Sequence, residues 1–130
     1  MKGDLQILNK HDHENAELLL NLSDEEILPY VDHLLKWMQD LNWPVARQIE
    51  PRLLAMGAKI SQHLKPILES DDEMWIYGMM SCFIEPCVPL QKALKSELVQ
   101  LKHSAFAFSL TEPDSHWISI SESAGSMSQG

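Results

Sequence analysis

The sequence predicts an all-α fold of stacked helix pairs. Three observations predict it. Apolar residues recur every three or four positions through about five successive segments, the period of an amphipathic helix. The starts of two segments mark where helices begin: Ser23-Asp24-Glu25-Glu26 places a capping hydroxyl and acids there, and Ser70-Asp71-Asp72-Glu73 places its acids there. The stretch Asp40–Leu68 can also be laid on Asp71–Leu98 with a shift of about 30 residues, a period typical of helical repeats. Asp40 then meets Asp71, Val45 meets Ile76, Ile49 meets Met80 and Leu53 meets Ile84. With one residue of slip, Ile60, Leu64 and Leu68 meet Leu90, Leu94 and Leu98. Helix–break–helix units at such a period are the mark of an α-solenoid.

The elements follow in order. A short helix fits the apolar run within 16–22. Ser23 and Glu26 make a capping box for a single turn at 23–28. Pro29 would cost a backbone hydrogen bond inside a continuous helix, so a main helix is expected to start there and reach about Asp40. Val31, Leu34, Leu35 and Met38 form its stripe. Asn42-Trp43-Pro44 breaks the chain, since a residue before proline disfavours the α region. Pro44 opens a helix to about Met56, bent at Pro51 and closed by Gly57 in the left-handed conformation. A third helix covers about 58–69. A fourth runs from about Asp72 to Glu85 and is apolar round most of its circumference, hence buried on most sides. Pro86 stops it, and Pro89 opens a fifth with Leu90, Leu94, Leu98 and Leu101.

The remainder changes character. Residues 104–130 hold eight serines and neither lysine nor arginine. They divide the chain into a helical-repeat domain over 1–103 and a serine-rich C-terminal tail over 104–130. Residues 104–110 are expected to fray, and 111–130 to be partly mobile, with Trp117 docking.

Composition narrows the function. The chain has 130 residues, 45% hydrophobic and 22% charged, ordinary for one globular domain that needs no disulfide or metal to hold it. Its 10 basic and 19 acidic residues give a net charge of −9. That disfavours general binding to nucleic acid or an anionic membrane, both of which demand a cationic footprint. No apolar run approaches the length of a membrane span, and Met1-Lys2-Gly3-Asp4 does not start a signal peptide. Cys82 and Cys87 match neither a redox nor a zinc spacing and read as reduced thiols, so a cytoplasmic location is expected.

Four segments carry a resemblance: Lys10-His11-Asp12, Leu22-Ser23-Asp24-Glu25-Glu26-Ile27, Leu41-Asn42-Trp43-Pro44-Val45-Ala46, and Ser70-Asp71-Asp72 through Trp75. In this order they resemble DUF5071, a bacterial family of small all-helical proteins of unknown function. The Asn-Trp-Pro-Val-Ala segment is the most specific, and the resemblance covers about residues 8–101. It implies a short right-handed α-α superhelix of the HEAT/armadillo kind, and no reaction. Some members lie near toxin–immunity genes, which implies a role in binding a partner. The family's usual acidic, helical C-terminal segment has no counterpart in the serine-rich stretch. Either the last helix is absent or the tail is altered; a last repeat without its cap would expose apolar surface open to self-association.

The candidate binding residues are Asp40, Trp43, Asp71, Asp72, Glu73 and Trp75. They fall at equivalent breaks of the two repeats, and equivalent breaks of a solenoid line up along one edge. An acidic ridge flanked by tryptophans suits a basic protein partner, because Trp is a favoured anchor. The structural alternative is that the acids cap helices and the tryptophans fill gaps between pairs. His11-Asp12-His13-Glu14 lacks a second cluster to complete a metal site and reads as exposed polarity, or as a cap through Asp12. No nucleophile elbow or glycine-rich phosphate loop is present. No cofactor, metal or catalytic residue is therefore assigned. The expected function is a non-enzymatic protein-interaction module, of adaptor or immunity type. The alternatives are a helical-repeat enzyme acting on nucleic acid, which would gather Arg47, Arg52, Lys59 and Lys65 beside Trp43, and a small-ligand carrier built around Trp75, Met79, Met80 and Phe83.

Overall fold

The computed structural model describes residues 6–129, and among them the regular structure is helical, with no strand. The described chain falls into two compact units, one ending at Met56 and the other starting at Gly57.

In the first unit, α1 (His13–Leu20) is capped by Asp12, whose carboxylate accepts from the Asn15 N–H at 3.3 Å and the Asn15 amide at 2.8 Å. The same carboxylate accepts the Leu8 N–H at 2.8 Å, which ties down the segment ahead of the helix. Ile7 is buried there, and its N–H donates to His33 Nε2 at 2.8 Å. The capping box forms at α2 (Asp24–Ile27): Ser23 Oγ accepts the Glu26 N–H and the Glu26 carboxylate accepts the Ser23 N–H, each at 3.2 Å. Pro29 does interrupt the α pattern, within a 3-10 turn over Leu28–Tyr30. The helix after it, α3 (Val31–Lys36), ends earlier than its apolar stripe suggests. Asp40 turns the chain by accepting the Asn42 N–H at 2.9 Å, although Met38 stays buried past the helix end. The next helix, α4 (Pro44–Met56), keeps the bounds that Pro44 and Gly57 set, and α1 packs against it. Val45, Ile49, Leu53 and Met56 are its buried face, with Ala46 beside them.

The second unit opens with Gly57 at φ 58°, the left-handed conformation that glycine adopts without a Cβ clash. A 3-10 turn over Gly57–Ile60 leads into α5 (Ser61–Leu68). Asp72 caps α6 (Glu73–Met79) by accepting the Trp75 N–H at 3.2 Å. This helix widens into a π turn over Met80–Ile84, where the Glu85 N–H donates to Met80 O at 2.8 Å. Ser81 Oγ donates back to the carbonyls of Tyr77 and Gly78, competing with the regular helical donors. The helical run then ends before Pro86. The fifth expected helix is divided: α7 (Val88–Ala93) and α8 (Lys95–Thr111) meet at Leu94, which is fully buried at the joint.

The serine-rich end departs from expectation. The boundary drawn at 103/104 falls inside α8, which runs on through the stretch expected to fray. After a turn, α9 (Trp117–Ser128) follows and packs extensively on α8. The chain thus has the closing helix that its composition hides. Tertiary contacts override the modest helix propensity of serine. Trp117, Ile120, Ser121 and Ala124 form the buried stripe of α9 at helical spacing, and Ser121 Oγ donates to Lys102 O at 2.7 Å. Gly125 lets the Lys102 stem lie close, since a Cβ there would sit 3.2 Å from Lys102 Cδ.

Candidate functional site

The two units carry the sequence-predicted residues separately. In the first, Asp40 is exposed and engaged in its turn, and the Trp43 N–H donates to Asp40 O at 3.1 Å. Trp43 is half-buried, its ring 5.4 Å from that of Trp37 at an interplanar angle of 58°. A tilted pair of this kind contributes packing as well as a partly open aromatic edge.

In the second unit, the four residues of the 71–75 segment have different surroundings. Asp72 is exposed, and its carboxylate caps α6. Glu73 is half-buried, and its carboxylate accepts the backbone N–H of His116, the residue that precedes α9. The His116 ring stacks on Tyr77, one turn beyond Glu73, at 4.8 Å and 28°. Glu73 and Tyr77 therefore fix the entry of α9 together. Trp75 is half-buried and held by contacts of its own. Asp71 differs from its neighbours: it is exposed, and no hydrogen bond or ion pair engages it among the described residues.

Asp71 lies at the edge of a groove of about 560 Å³. One wall is the end of α5 and the turn after it, Leu68 to Asp71. The other is a single face of α8, whose Glu97, Leu101, Ser104 and Phe108 follow helical spacing. Leu68 and Leu101 are buried in the floor, while Phe108 is 37% exposed and lies 4.7 Å from the Trp117 ring. Three carboxylates border the space: Glu69, Asp71 and Glu97. Lys65 Nζ approaches Glu97 at 3.9 Å and offsets part of its charge. Glu69 and Asp71 have no such cation among the described residues. The groove thus joins an aromatic face to two uncompensated negative charges, chemistry suited to a guanidinium or ammonium on an apolar stem.

Sequence reasoning missed Glu69, Glu97, Ser104 and Phe108. The signal was the spacing along 97–108, which becomes one face only if the helix continues past Leu101. The remaining candidates are placed as follows. Arg52 pairs with Asp24 at 2.8 Å and donates to the carbonyls of Leu20 and Leu22. Arg47 is exposed in the first unit, and in the second Lys59 is exposed with contacts of its own. Met79, Met80 and Phe83 are buried. His11 is exposed, Asp12 is the cap of α1, and His13 Nδ1 lies 2.7 Å from Gln48 Oε1. Among the described residues no three His, Cys, Asp or Glu side chains cluster as metal ligands. No described helix is long and apolar enough to cross a membrane. Cys82 is buried and Cys87 half-buried, and neither is in a disulfide among the described residues.

The family model described as a domain of unknown function, DUF5071, matches residues 7–124. That span takes in the capping box, the Trp43-Pro44 break, both walls of the groove and most of α9. No curated protein matches the chain.

Proposed function

From the premise that the chain belongs to the DUF5071 family, we propose that it is a non-enzymatic protein-interaction module of adaptor or immunity type. It acts in the bacterial cytoplasm, on a HEAT-like arrangement of helix pairs. It binds a protein partner with a basic surface through the acidic, Trp-containing segment 71–75 and the groove beside it. The observation that carries the reading is the pairing of unengaged Glu69 and Asp71 carboxylates with the open ring of Phe108. An arginine of the partner reaching in would lay its guanidinium over the ring and meet both acids. The net charge of −9 adds long-range attraction for such a partner.

The test is an affinity capture with the tagged full chain beside a Glu69→Lys/Asp71→Lys variant whose helical circular dichroism matches the parent. A basic protein should be retained by the parent, lost from the variant, and released as salt rises from about 50 to about 300 mM. If the parent and the folded variant retain the same proteins with the same salt response, the acidic groove is not the binding face. If the parent retains no protein at the lower salt, the interaction-module reading fails.

A further inference from the structure

The outer face of α8, turned away from the groove, combines cations with apolar side chains. Lys95, Val99, Lys102, Phe106 and Leu110 succeed one another at intervals of three and four, which keeps them on one side of the helix, and all are exposed. Phe106 and Ile118 of α9, 51% and 40% exposed, line a second groove of about 430 Å³ together with Lys102. Lys92 borders a smaller hollow with Lys95, beside Val88 and Met127. The ammoniums of Lys92, Lys95 and Lys102 enter no ion pair or hydrogen bond among the described residues. His103 is exposed beside Lys102. The lining of the second groove holds one carboxylate, Glu122. Glu97, the sole acid of α8, is turned to the other side, where it approaches Lys65. A local excess of positive charge thus borders exposed apolar surface on a chain whose net charge is −9.

That excess names the occupant. Charge acts over about 8 Å at physiological ionic strength, so an anion seated along the stripe feels these ammoniums more than the acids on remote surfaces. A bilayer or a nucleic-acid backbone spreads its anions beyond the stripe and meets the charge of the whole chain. A single helix confines its carboxylates to the stripe. Its apolar face also covers Val99, Phe106 and Ile118, which a purely acidic segment leaves wet. From Lys95 to Leu110 α8 rises about 22 Å, the span of a helix of about 15 residues. A helix laid in a groove presents apolar anchors every three or four residues, the spacing that the stripe itself shows.

We propose that the outer face of α8, with the adjoining edge of α9, docks an acidic amphipathic helix of a second protein partner. The apolar face of that helix seats against Val99, Phe106 and Ile118, and the carboxylates along its edge meet Lys95 and Lys102. This surface lies on the opposite side of α8 from Glu97 and Phe108, so it stands whether or not the acidic groove holds a basic partner.

Fluorescence anisotropy on the full chain tests it, with a panel of labelled helical peptides of about 18 residues, long enough to cover the stripe. Their apolar face varies among Leu, Ile, Phe and Met, and their edge positions are all Glu, all Gln or all Lys. At least one Glu peptide should bind with a Kd below about 100 µM, and its Gln and Lys counterparts about tenfold or more weaker. Phe106→Glu, with unchanged helical circular dichroism, should weaken that binding by about tenfold or more. Should the variant fail to fold, Ile118→Ser supplies the same test with a smaller perturbation. Lys95→Glu/Lys102→Glu should invert the preference, so that the Lys peptide binds more tightly than the Glu peptide. Glu69→Lys/Asp71→Lys should bind the Glu peptide at least as tightly as the parent, which separates this face from the acidic groove. If no Glu peptide binds, or Glu and Lys peptides bind alike, the proposal is overturned. Binding indifferent to Phe106→Glu and to the lysine variant overturns the face. Retention on vesicles of phosphatidylglycerol and phosphatidylcholine in place of any Glu peptide, lost with the lysine variant, makes the occupant a membrane. A dimer in sedimentation that Phe106→Glu dissolves and no Glu peptide disperses makes it a second copy. Either result overturns the helix as occupant.

Discussion

Replacing Gly57 with alanine should destabilise the protein by about 1 kcal/mol, through backbone conformation alone. Gly57 holds φ at 58°. A methyl group on its Cα would find only Cys87 Sγ nearby, at 3.9 Å, an ordinary contact that adds no steric cost. An L-residue in this conformation costs about 1–2 kcal/mol, and the lower freedom of alanine in the unfolded chain offsets about half a kcal/mol of that. With a urea slope of about 2 kcal/mol/M, the unfolding midpoint should fall by about 0.5 M at constant slope. Gly57→Asn should lose less, since asparagine enters the left-handed region more readily. Urea titrations followed by circular dichroism and by tryptophan fluorescence measure both variants. An alanine midpoint at or above the parent's would refute the reasoning, as would a larger loss for asparagine than for alanine. Either result would mean that side-chain space, not φ, governs the position.

Three further outcomes follow from the same structure. Gly125→Ala should raise the midpoint by the equivalent of about 0.5 kcal/mol, because helix propensity improves and the flexible Lys102 stem, 3.2 Å from the new Cβ, can swing toward water; a lower midpoint would show that the stem is fixed. Ser121→Ala should cost about 1 kcal/mol by removing the buried hydroxyl's 2.7 Å bond to Lys102 O, and thermal melting would detect it. His33 accepts the Ile7 N–H, which only the neutral ring can do, and burial, with Lys36 second, holds its pKa below the ordinary 6.5. Its contribution to stability is therefore complete above the unfolded value and lost as pH falls through the lowered folded value. Melting curves between about pH 7.5 and 5.5 should show that loss in the parent, and His33→Gln should flatten it.

What the sequence made legible was local chemistry. Pro44, Gly57, Asp72 and the Ser23–Glu26 box each act within a few residues, and each has the role its type and position imply. Pro29 was read for its missing N–H and lies at a change of helix type. What stayed hidden depends on contacts distant in sequence. Glu73 reads as a free first-turn acid until His116 is brought beside it. Serine masks the stripe of α9, because Ser121 is an inward residue only where Lys102 O is there to accept its proton. Phe106 and Phe108 point to nearly opposite sides of α8, so no single apolar face announces the helix. The first groove is equally non-local: its acids come from the turn after α5, while its ring comes from a helix about forty residues on.

The serine-rich composition of the C-terminal region also shapes how the protein meets proteases. Lys102 is the last basic residue, so trypsin, which cuts after lysine and arginine, has no site anywhere from His103 to Gly130. The bond after Lys102 lies within α8, and the carbonyl of that bond accepts the Ser121 hydroxyl. Cleavage there must wait until the helix opens locally and that hydroxyl lets go. Each such opening that is caught then releases everything beyond Lys102 as one fragment carrying all of α9. When reclosing outpaces cleavage, the rate at which that fragment accumulates measures the fraction of time for which the α8–α9 pair stands apart.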